Sequence, residues 1–325
     1  MASSNVDDIV QFEQGKNSDI IAQFVDLTND AHSNERDREL GLESQFRWKH
    51  LESPFGPSLI LYTESQNVPT SIRCVQYMRL EVDGTELLAG QPCDTATAIK
   101  YQRQGLSRRI LRRSLELLES QKISLLFNFP SAVNKRLYMA AGWQVRNQLH
   151  LLVSLRALLT FPFRAFGRMT KLQEHSEATW RQLEAGDFIL PEQHPETLQI
   201  APKYYREWLL WRFRHHPSNQ YFAISAGGNI FIGKLRIRRR LQEFCVLEVV
   251  YPPTKEGVRG LLRMAPVPLI TFIMAEEHRY FKAIKSLCGC FSYKNKHDYV
   301  ARWLGDERTA EACAWNLSGS WTDYE

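Results

Sequence analysis

The chain has 325 residues, of which 44% are apolar and 24% charged, and a net charge of +5. That length suits two domains and that balance suits a folded globular protein. No run approaches the ~20 apolar residues of a membrane-spanning helix, and the polar, acidic start is not a signal peptide, so the expected location is cytoplasmic, with no membrane partner.

Along the chain, Asp8 to Glu13 reads as a strand. Ile20, Ile21, Phe24 and Leu27 have helical spacing, and residues 35–51 read as a second helix ending near Ser53-Pro54. Residues 58–63 and 71–80 are short apolar runs of antiparallel strands. Asp83-Gly84 is a hairpin signal, leading into a strand over about 86–99 that breaks near residues 90–93. From Gly105 to Gln121, Leu106, Ile110, Leu111, Ser114, Leu115 and Leu118 share one helical face. A strand at 124–129, a short helix at 134–141 closed by Gly142, and a last strand at 143–155 follow. The order predicts an α/β (α+β) layer, a mixed and mostly antiparallel sheet flanked by helices. Residues 161–169, with Pro162 and Gly167, read as a boundary, giving domains at 1–158 and 170–325.

The second half begins the pattern again. Trp48 precedes Pro54 by six residues, and Trp211 precedes Pro217 by six. Each pair leads into an apolar strand, a turn and a second strand, as a duplication would.

Six cysteines, at 74, 93, 245, 288, 290 and 313, form no CxxC pair and no His/Cys ligand spacing. Reduced, mostly buried thiols and no metal are expected. Two arginine clusters stand out: Arg103, Arg108, Arg109, Arg112 and Arg113, and then Arg236, Arg238, Arg239 and Arg240. No nucleic-acid motif accompanies them, so nucleic acid is not the expected partner. His215-His216 and the second arginine run read as solvated faces. Trp315, Trp321 and Tyr324 suggest a tail that docks on the body.

The stretch 96–107, Ala-Thr-Ala-Ile-Lys-Tyr-Gln-Arg-Gln-Gly-Leu-Ser, carries the chemistry. A strand enters a turn, and a helix starts at Gly105. First-turn amides lack intrahelical partners and the dipole adds positive potential, so the turn can hold an anion. Gly105 lets a phosphate approach the backbone. Ser107 offers a hydroxyl, while Arg103, Arg108 and Arg109 add charge.

Gln102-x-x-Gly105-x-Ser107 resembles the acyl-CoA-binding motif of the GNAT superfamily of N-acetyltransferases, Gln/Arg-x-x-Gly-x-Gly/Ala, with Ser107 replacing the usual Gly or Ala. Ser131 to Trp143 is similar to that family's Asn-x-x-Ala-x-x-Leu-Tyr-x-x-x-Gly-Phe segment. Tyr138 and Gly142 match, while Ser131, Asn134 and Trp143 replace the usual residues. The resemblance covers about residues 5–155.

It implies an N-acyltransferase with acetyl-CoA or another acyl-CoA as co-substrate. On it, Gln102, Arg103, Gln104, Gly105, Leu106, Ser107 and Arg108 hold the pyrophosphate. Ala98 and Ile99 lie beside the pantetheine, Asn134 lies on the cofactor side, and Tyr138 is the catalytic acid for the departing thiolate. An amine of a small molecule, such as an amino sugar, would attack the thioester directly. Its proton would pass to a base, for which Glu81, Asp83, Asp94 and His50 are candidates.

Around Glu256-Gly257-Val258-Arg259-Gly260 the second half lacks the phosphate turn. It reads as a degenerate GNAT-like copy that shapes the acceptor pocket or holds a homodimer. Two other classes stay open, a tandem-GNAT aminoacyl transferase using charged tRNA and a non-catalytic CoA-binding regulator.

Overall fold

The computed structural model describes residues 8–15, 20–31, 41–82, 85–160, 169–188, 199–203, 205–304 and 314–315. The Asp83-Gly84 turn, the 161–168 boundary, Cys313 and the tail after Trp315 lie outside these residues. The described cysteines, Cys74, Cys93, Cys245, Cys288 and Cys290, are buried and free. No helix of the described residues is long and apolar enough to cross a membrane.

The chain divides into two compact units. The first comprises Met1–Leu80, Glu86–Gln144 and Val300–Glu311; the second comprises Glu81–Thr85, Val145–Tyr299 and Ala312–Glu325. The linear limits expected from sequence, 1–158 and 170–325, differ from this division by two strands, described below.

In the first unit, β1 (Ile9–Gln11), β2 (Leu59–Ser65), β3 (Val68–Val82), β4 (Thr85–Thr97) and β5 (Leu125–Asn128) lie side by side in that order. β1 and β2 pair antiparallel, as do β2 and β3, while β4 and β5 run parallel. Helices α1 (Ile20–Ala31) and α2 (Glu43–His50) bury Ile21, Phe24 and Phe46 against Ile60, Ile72 and Cys74. Helices α3 (Leu106–Ser120) and α4 (Ala132–Ala140) bury Ile110, Leu118 and Tyr138 with Leu59, Val75 and Leu126. Because strand residues alternate between faces, β3 can serve both cores: Ile72 and Cys74 belong to the first, Val75 to the second. The α3 face predicted from periodicity is the buried one.

In the second unit, α5 (Leu155–Thr160) and α6 (Met169–Ala185) precede β7 (Gln199–Pro202) and α7 (Tyr205–Leu209). β8 (Phe222–Ala226), β9 (Asn229–Arg238), β10 (Leu241–Val249), α8 (Lys255–Met264), β11 (Leu269–Ala275), α9 (Phe281–Leu287) and β12 (Cys290–Trp303) follow, with a short β13 (Ala314–Trp315) paired to β7. β8 and β9 are antiparallel, β9 and β10 antiparallel, and β10 and β11 parallel. The order of elements from β8 to β12 repeats that from β2 onward, which is the duplication expected from the Trp-Pro spacing.

The sequence reading closes the first sheet with residues 143–155. The structure differs. That strand, β6 (Gln144–Ser154), pairs antiparallel with β11, Thr271 opposite Val153 and Ala275 opposite Leu149. The end of β12 lies against β5 instead, Val300 opposite Asn128 and Trp303 opposite Leu125. The two closing strands are thus exchanged, and each still buries one face.

Candidate active site

The turn before α3 has the shape that the anion reading requires. Beyond β4 comes a single 3-10 turn, Ile99–Tyr101. Arg103 has φ +63° and Gly105 φ +81°, and left-handed residues turn successive amides toward one side. Gly105 is the N-cap of α3 and contributes no side-chain cap; the Arg108 amide bonds the Gly105 carbonyl at 3.1 Å, and the Leu106 and Ser107 amides before it have no intrahelical partner. A Cβ on Gly105 would meet no heavy atom within 4 Å. The glycine is therefore there for its φ and for the open space before it, not for close protein packing.

The neighbouring side chains brace the turn. Gln102 Nε2 donates to the Thr97 carbonyl at 3.1 Å, and Gln104 Nε2 to the Lys100 carbonyl at 3.1 Å. The Ser107 hydroxyl bonds that of Thr97 at 3.1 Å, and Thr97 in turn bonds Ser71 at 2.8 Å. Arg103 and Arg108 are exposed, Leu106 is buried, and Ile99 is 63% exposed. The Ala98 amide donates to the Thr70 carbonyl, so residues 98–99 lie just past the strand that sequence reading carried through them.

The β4–β5 ladder pairs Ala89 with Leu125 and Gly90 with Leu126, and just before it the Ser124 amide donates to the Leu88 carbonyl at 2.9 Å. β4 continues to Thr97 and β5 to Asn128. Past Gly90 the strands splay, and Pro92, which has no N–H, helps end the ladder. A Cβ on Gly90 would come within 2.9 Å of both Leu126 and Val75, so the strands close tightly just before they part. The break expected near 90–93 is this loss of pairing; the strand itself runs on, with Asp94 at φ +41°.

Asn128, the last residue of β5, donates from Nδ2 to the Tyr138 hydroxyl at 3.0 Å. The Tyr138 ring is 3% exposed and lies 4.6 Å from Trp143. Its hydroxyl also accepts from Arg73 Nη2 at 3.1 Å. Asn134 sits half-buried in the first turn of α4, which Ser131 caps. The turn before α3, the β4–β5 strands and Tyr138 all belong to the first unit.

Residues 15–146 match the family described as an acetyltransferase (GNAT) domain. This chain carries a GNAT acetyltransferase domain. Similar folds surround it. A probable N-acyltransferase from Enterococcus faecalis V583 superposes with TM-score 0.61 at 12% identity, over 91% of this chain and 72% of that one. Eis1 from Mycobacterium abscessus gives 0.58 at 12% identity, over 94% and 75%. A tandem GNAT protein from the clavulanic acid biosynthesis pathway gives 0.51 at 9% identity, over 92% and 99%. No curated protein sequence matches. At such identities the likeness is one of fold, and that fold is the tandem GNAT arrangement. Residues 15–146 are thus a GNAT-type acyltransferase domain.

On the α1–α2 side of this GNAT domain lies a charged set. His50 is fully buried; its Nε2 is 2.7 Å from Asp94 Oδ2, and its Nδ1 is 3.0 Å from the Ser58 hydroxyl. Lys49 Nζ lies 3.1 Å from the same Asp94 oxygen. Burial opposes the Asp94 charge, but the Lys49 ammonium and the His50 hydrogen bond outweigh it and hold the carboxyl well below its usual range. Asp94 therefore accepts from His50 Nε2–H, and Nδ1 accepts from Ser58. Of the four base candidates, His50 has both nitrogens engaged, Glu81 is the next-to-last residue of β3, Asp83 lies outside the described residues, and Asp94 is 23% exposed. Cys93 joins His50 and Asp94 in a group whose donor atoms lie within 4.8 Å of one another. Such a set could hold a cation, but Lys49 already supplies the counter-charge. Sequence reading named His50 and Asp94 and missed Lys49.

Because the folded-state acidity of Asp94 is raised, its stabilisation is full above the carboxylate value of the unfolded chain, about 4, and is lost as pH falls below it. Asp94→Asn removes the carboxylate that faces the Lys49 ammonium, whose side chain is 12% exposed. It should cost about 3 kcal/mol at pH 7, with the gap from wild type shrinking below about pH 4. Urea melts at both pH values measure this; a gap independent of pH would refute the ion pair.

The second unit treats its corresponding helix start differently. Thr254 caps α8, its Oγ1 accepting from the Gly257 amide at 2.9 Å. Asn229 Oδ1 accepts from both the amide and the hydroxyl of Thr254. A Cβ on Gly257 would fall 1.9 Å from Asn229 Oδ1. The start of α8 is thus closed by a capping side chain and by Asn229, where that of α3 has no side-chain cap. Arg239 and Arg240 are exposed, as expected for the second arginine run, but Arg236 and Arg238 need correction: both bond Glu243, which is fully buried and also bonds Thr271. The hairpin sets Arg236 opposite Glu243. Burial pushes this carboxyl up, but the two guanidinium groups hold it below its ordinary value. His216 Nδ1 accepts two turn amides, from Ser218 and Asn219, and His215 stays exposed.

Proposed function

We propose that the enzyme transfers an acyl group from acetyl-CoA or a related acyl-CoA to the amine of a small molecule, in one step, using only its first unit. One observation carries the reading: the uncapped α3 N-terminus at left-handed Gly105 opens beside a splay of β4 and β5 that has the Tyr138 hydroxyl at its mouth. The turn over 102–108 suits a pyrophosphate. The edge of β4 from Gln91 to Thr97, which lacks β5 beside it, offers backbone groups to the amides of a pantetheine arm, with Ala98, Ile99 and Asn134 near it.

The amine nitrogen attacks the thioester carbon. The C–S bond breaks and the sulfur leaves with the electron pair. It takes a proton from Tyr138, which recovers one from water, and the ammonium proton formed on the acceptor passes to water. Asp94, too acidic to be an effective base at neutral pH, suits an anchor for the incoming ammonium, which gives a proton to water before the neutral amine attacks.

The filled α8 terminus supports a single cofactor site per chain. A calorimetric titration with acetyl-CoA should give a stoichiometry of one, and thiol release from acetyl-CoA should require an added amine. A stoichiometry of two would overturn the degenerate reading of the second unit. Stabilisation by charged tRNA without any by acetyl-CoA would replace the function proposed with aminoacyl transfer.

A further inference from the structure

Arg73 is 1% exposed, in the middle of β3. Its Nη2 bonds the Tyr138 oxygen, its guanidinium carbon lies 5.4 Å from the Tyr138 ring centroid, and its Nε is buried without a partner. No carboxylate among the described residues pairs with it. A buried cation left without a counter-charge is costly, so a negative charge that forms beside it is stabilised.

The Tyr138 oxygen has two lone pairs and one hydrogen. Arg73 donates to one lone pair and Asn128 to the other. The orientation of the Asn128 amide is fixed, because its Oδ1 accepts from the Phe129 amide at 2.7 Å, which leaves Nδ2 to donate. With both acceptor positions filled, the Tyr138 hydrogen must point in a third direction, where no acceptor lies among the described residues.

We propose that Arg73 is a positioning residue for acyl transfer: with Asn128 it commits the Tyr138 hydroxyl to donation, and its uncompensated charge stabilises the negative charge that collects on the phenolic oxygen as the proton moves to the departing thiolate. The inference rests on Tyr138 being the acid. Preorganised charge of this kind acts in the transition state and adds little to ground-state binding.

The test measures kcat, KM and acetyl-CoA affinity for Arg73→Met, Arg73→Gln, Arg73→Lys and Tyr138→Phe, and for Arg73→Met combined with Tyr138→Phe, with a panel of primary amines as acceptors. Arg73→Met should lower kcat about 10- to 100-fold and leave acetyl-CoA affinity within about threefold. Lys should restore more activity than Gln, since it returns the charge. In the Tyr138→Phe background the Arg73 change should cost less than about threefold, because the residue acts through the missing hydroxyl. Equal losses in both backgrounds, or a loss confined to binding, would overturn the inference. Should Arg73→Met not fold, the comparison of Lys with Gln reads the same charge, and equal activity of the two would overturn it. A fully active Tyr138→Phe enzyme instead removes the acid assignment itself; a slow Tyr138→Phe beside a fast Arg73→Met removes only the role of Arg73.

Discussion

Gly105→Glu should abolish acyl-CoA binding while the protein stays folded. Glycine here has φ +81° and ψ 4°, so a side chain adds about 1–2 kcal/mol of left-handed strain. Nothing else opposes it, since a Cβ meets no heavy atom within 4 Å. A carboxylate at a helix N-terminus interacts favourably with the dipole, which offsets part of the strain. The same carboxylate projects into the open space before the first-turn amides, and a phosphate must then contend with both bulk and like charge. Affinity for acetyl-CoA should fall more than about 100-fold, a loss of about 2.7 kcal/mol. Gly105→Ala shares the strain but lacks the charge, so it should weaken binding far less. Calorimetry with parallel thermal melts separates the two, and equal affinity in Gly105→Glu would sink the phosphate-turn assignment. Gly257, at the start of α8, makes a useful contrast. A Cβ there runs into Asn229 Oδ1, so substitution should lower stability without touching acyl-CoA affinity.

Local pattern made α3 and its turn legible. Leu106, Ile110, Leu111 and Leu118 repeat at helical spacing, and Gly105 at the start of that repeat is a short-range signal. Tyr138 was legible through the segment from Ser131 to Trp143, where the motif and a helix coincide. What escaped notice depends on partners distant in sequence. Arg73 lies in a strand whose neighbours Ile72, Cys74 and Val75 are buried and apolar; its partner is 65 positions away, so nothing local distinguishes it from a solvated charge. Lys49 meets Asp94 across 45 residues for the same reason. The exchange of β6 and β12 is also a choice of partner. Both strands bury one face whichever neighbour they take, so their sequences give alternation but not pairing. Arg236 and Glu243 are closer, seven apart across a hairpin, yet a run of arginines on a strand reads as surface until the turn register is known.

Tyr138→Phe should lower turnover far more than it weakens acyl-CoA binding. The ring packs against Trp143 at 4.6 Å and belongs to the core that includes Leu126 and Ile110, and phenylalanine keeps that packing. The hydroxyl alone is lost. Its removal leaves Arg73 Nη2 and Asn128 Nδ2 without the acceptor they share, so about 1–3 kcal/mol of stability should go with it. Thermal melts must therefore accompany the kinetics, at a temperature where the variant is fully folded. Proton donation by a side chain contributes roughly 100- to 10,000-fold. A thiolate is a fair leaving group, so the effect should sit near the lower limit, about 100-fold in kcat. A proton moving to sulfur helps only as the C–S bond breaks; kcat and kcat/KM should therefore fall together while the dissociation constant for acetyl-CoA stays near its original value. If the loss of stability were the whole effect, the rate at low temperature would match the wild type. If the rate is unchanged throughout, the thiolate departs unaided or through water, and Tyr138 with its two donors serves the core alone.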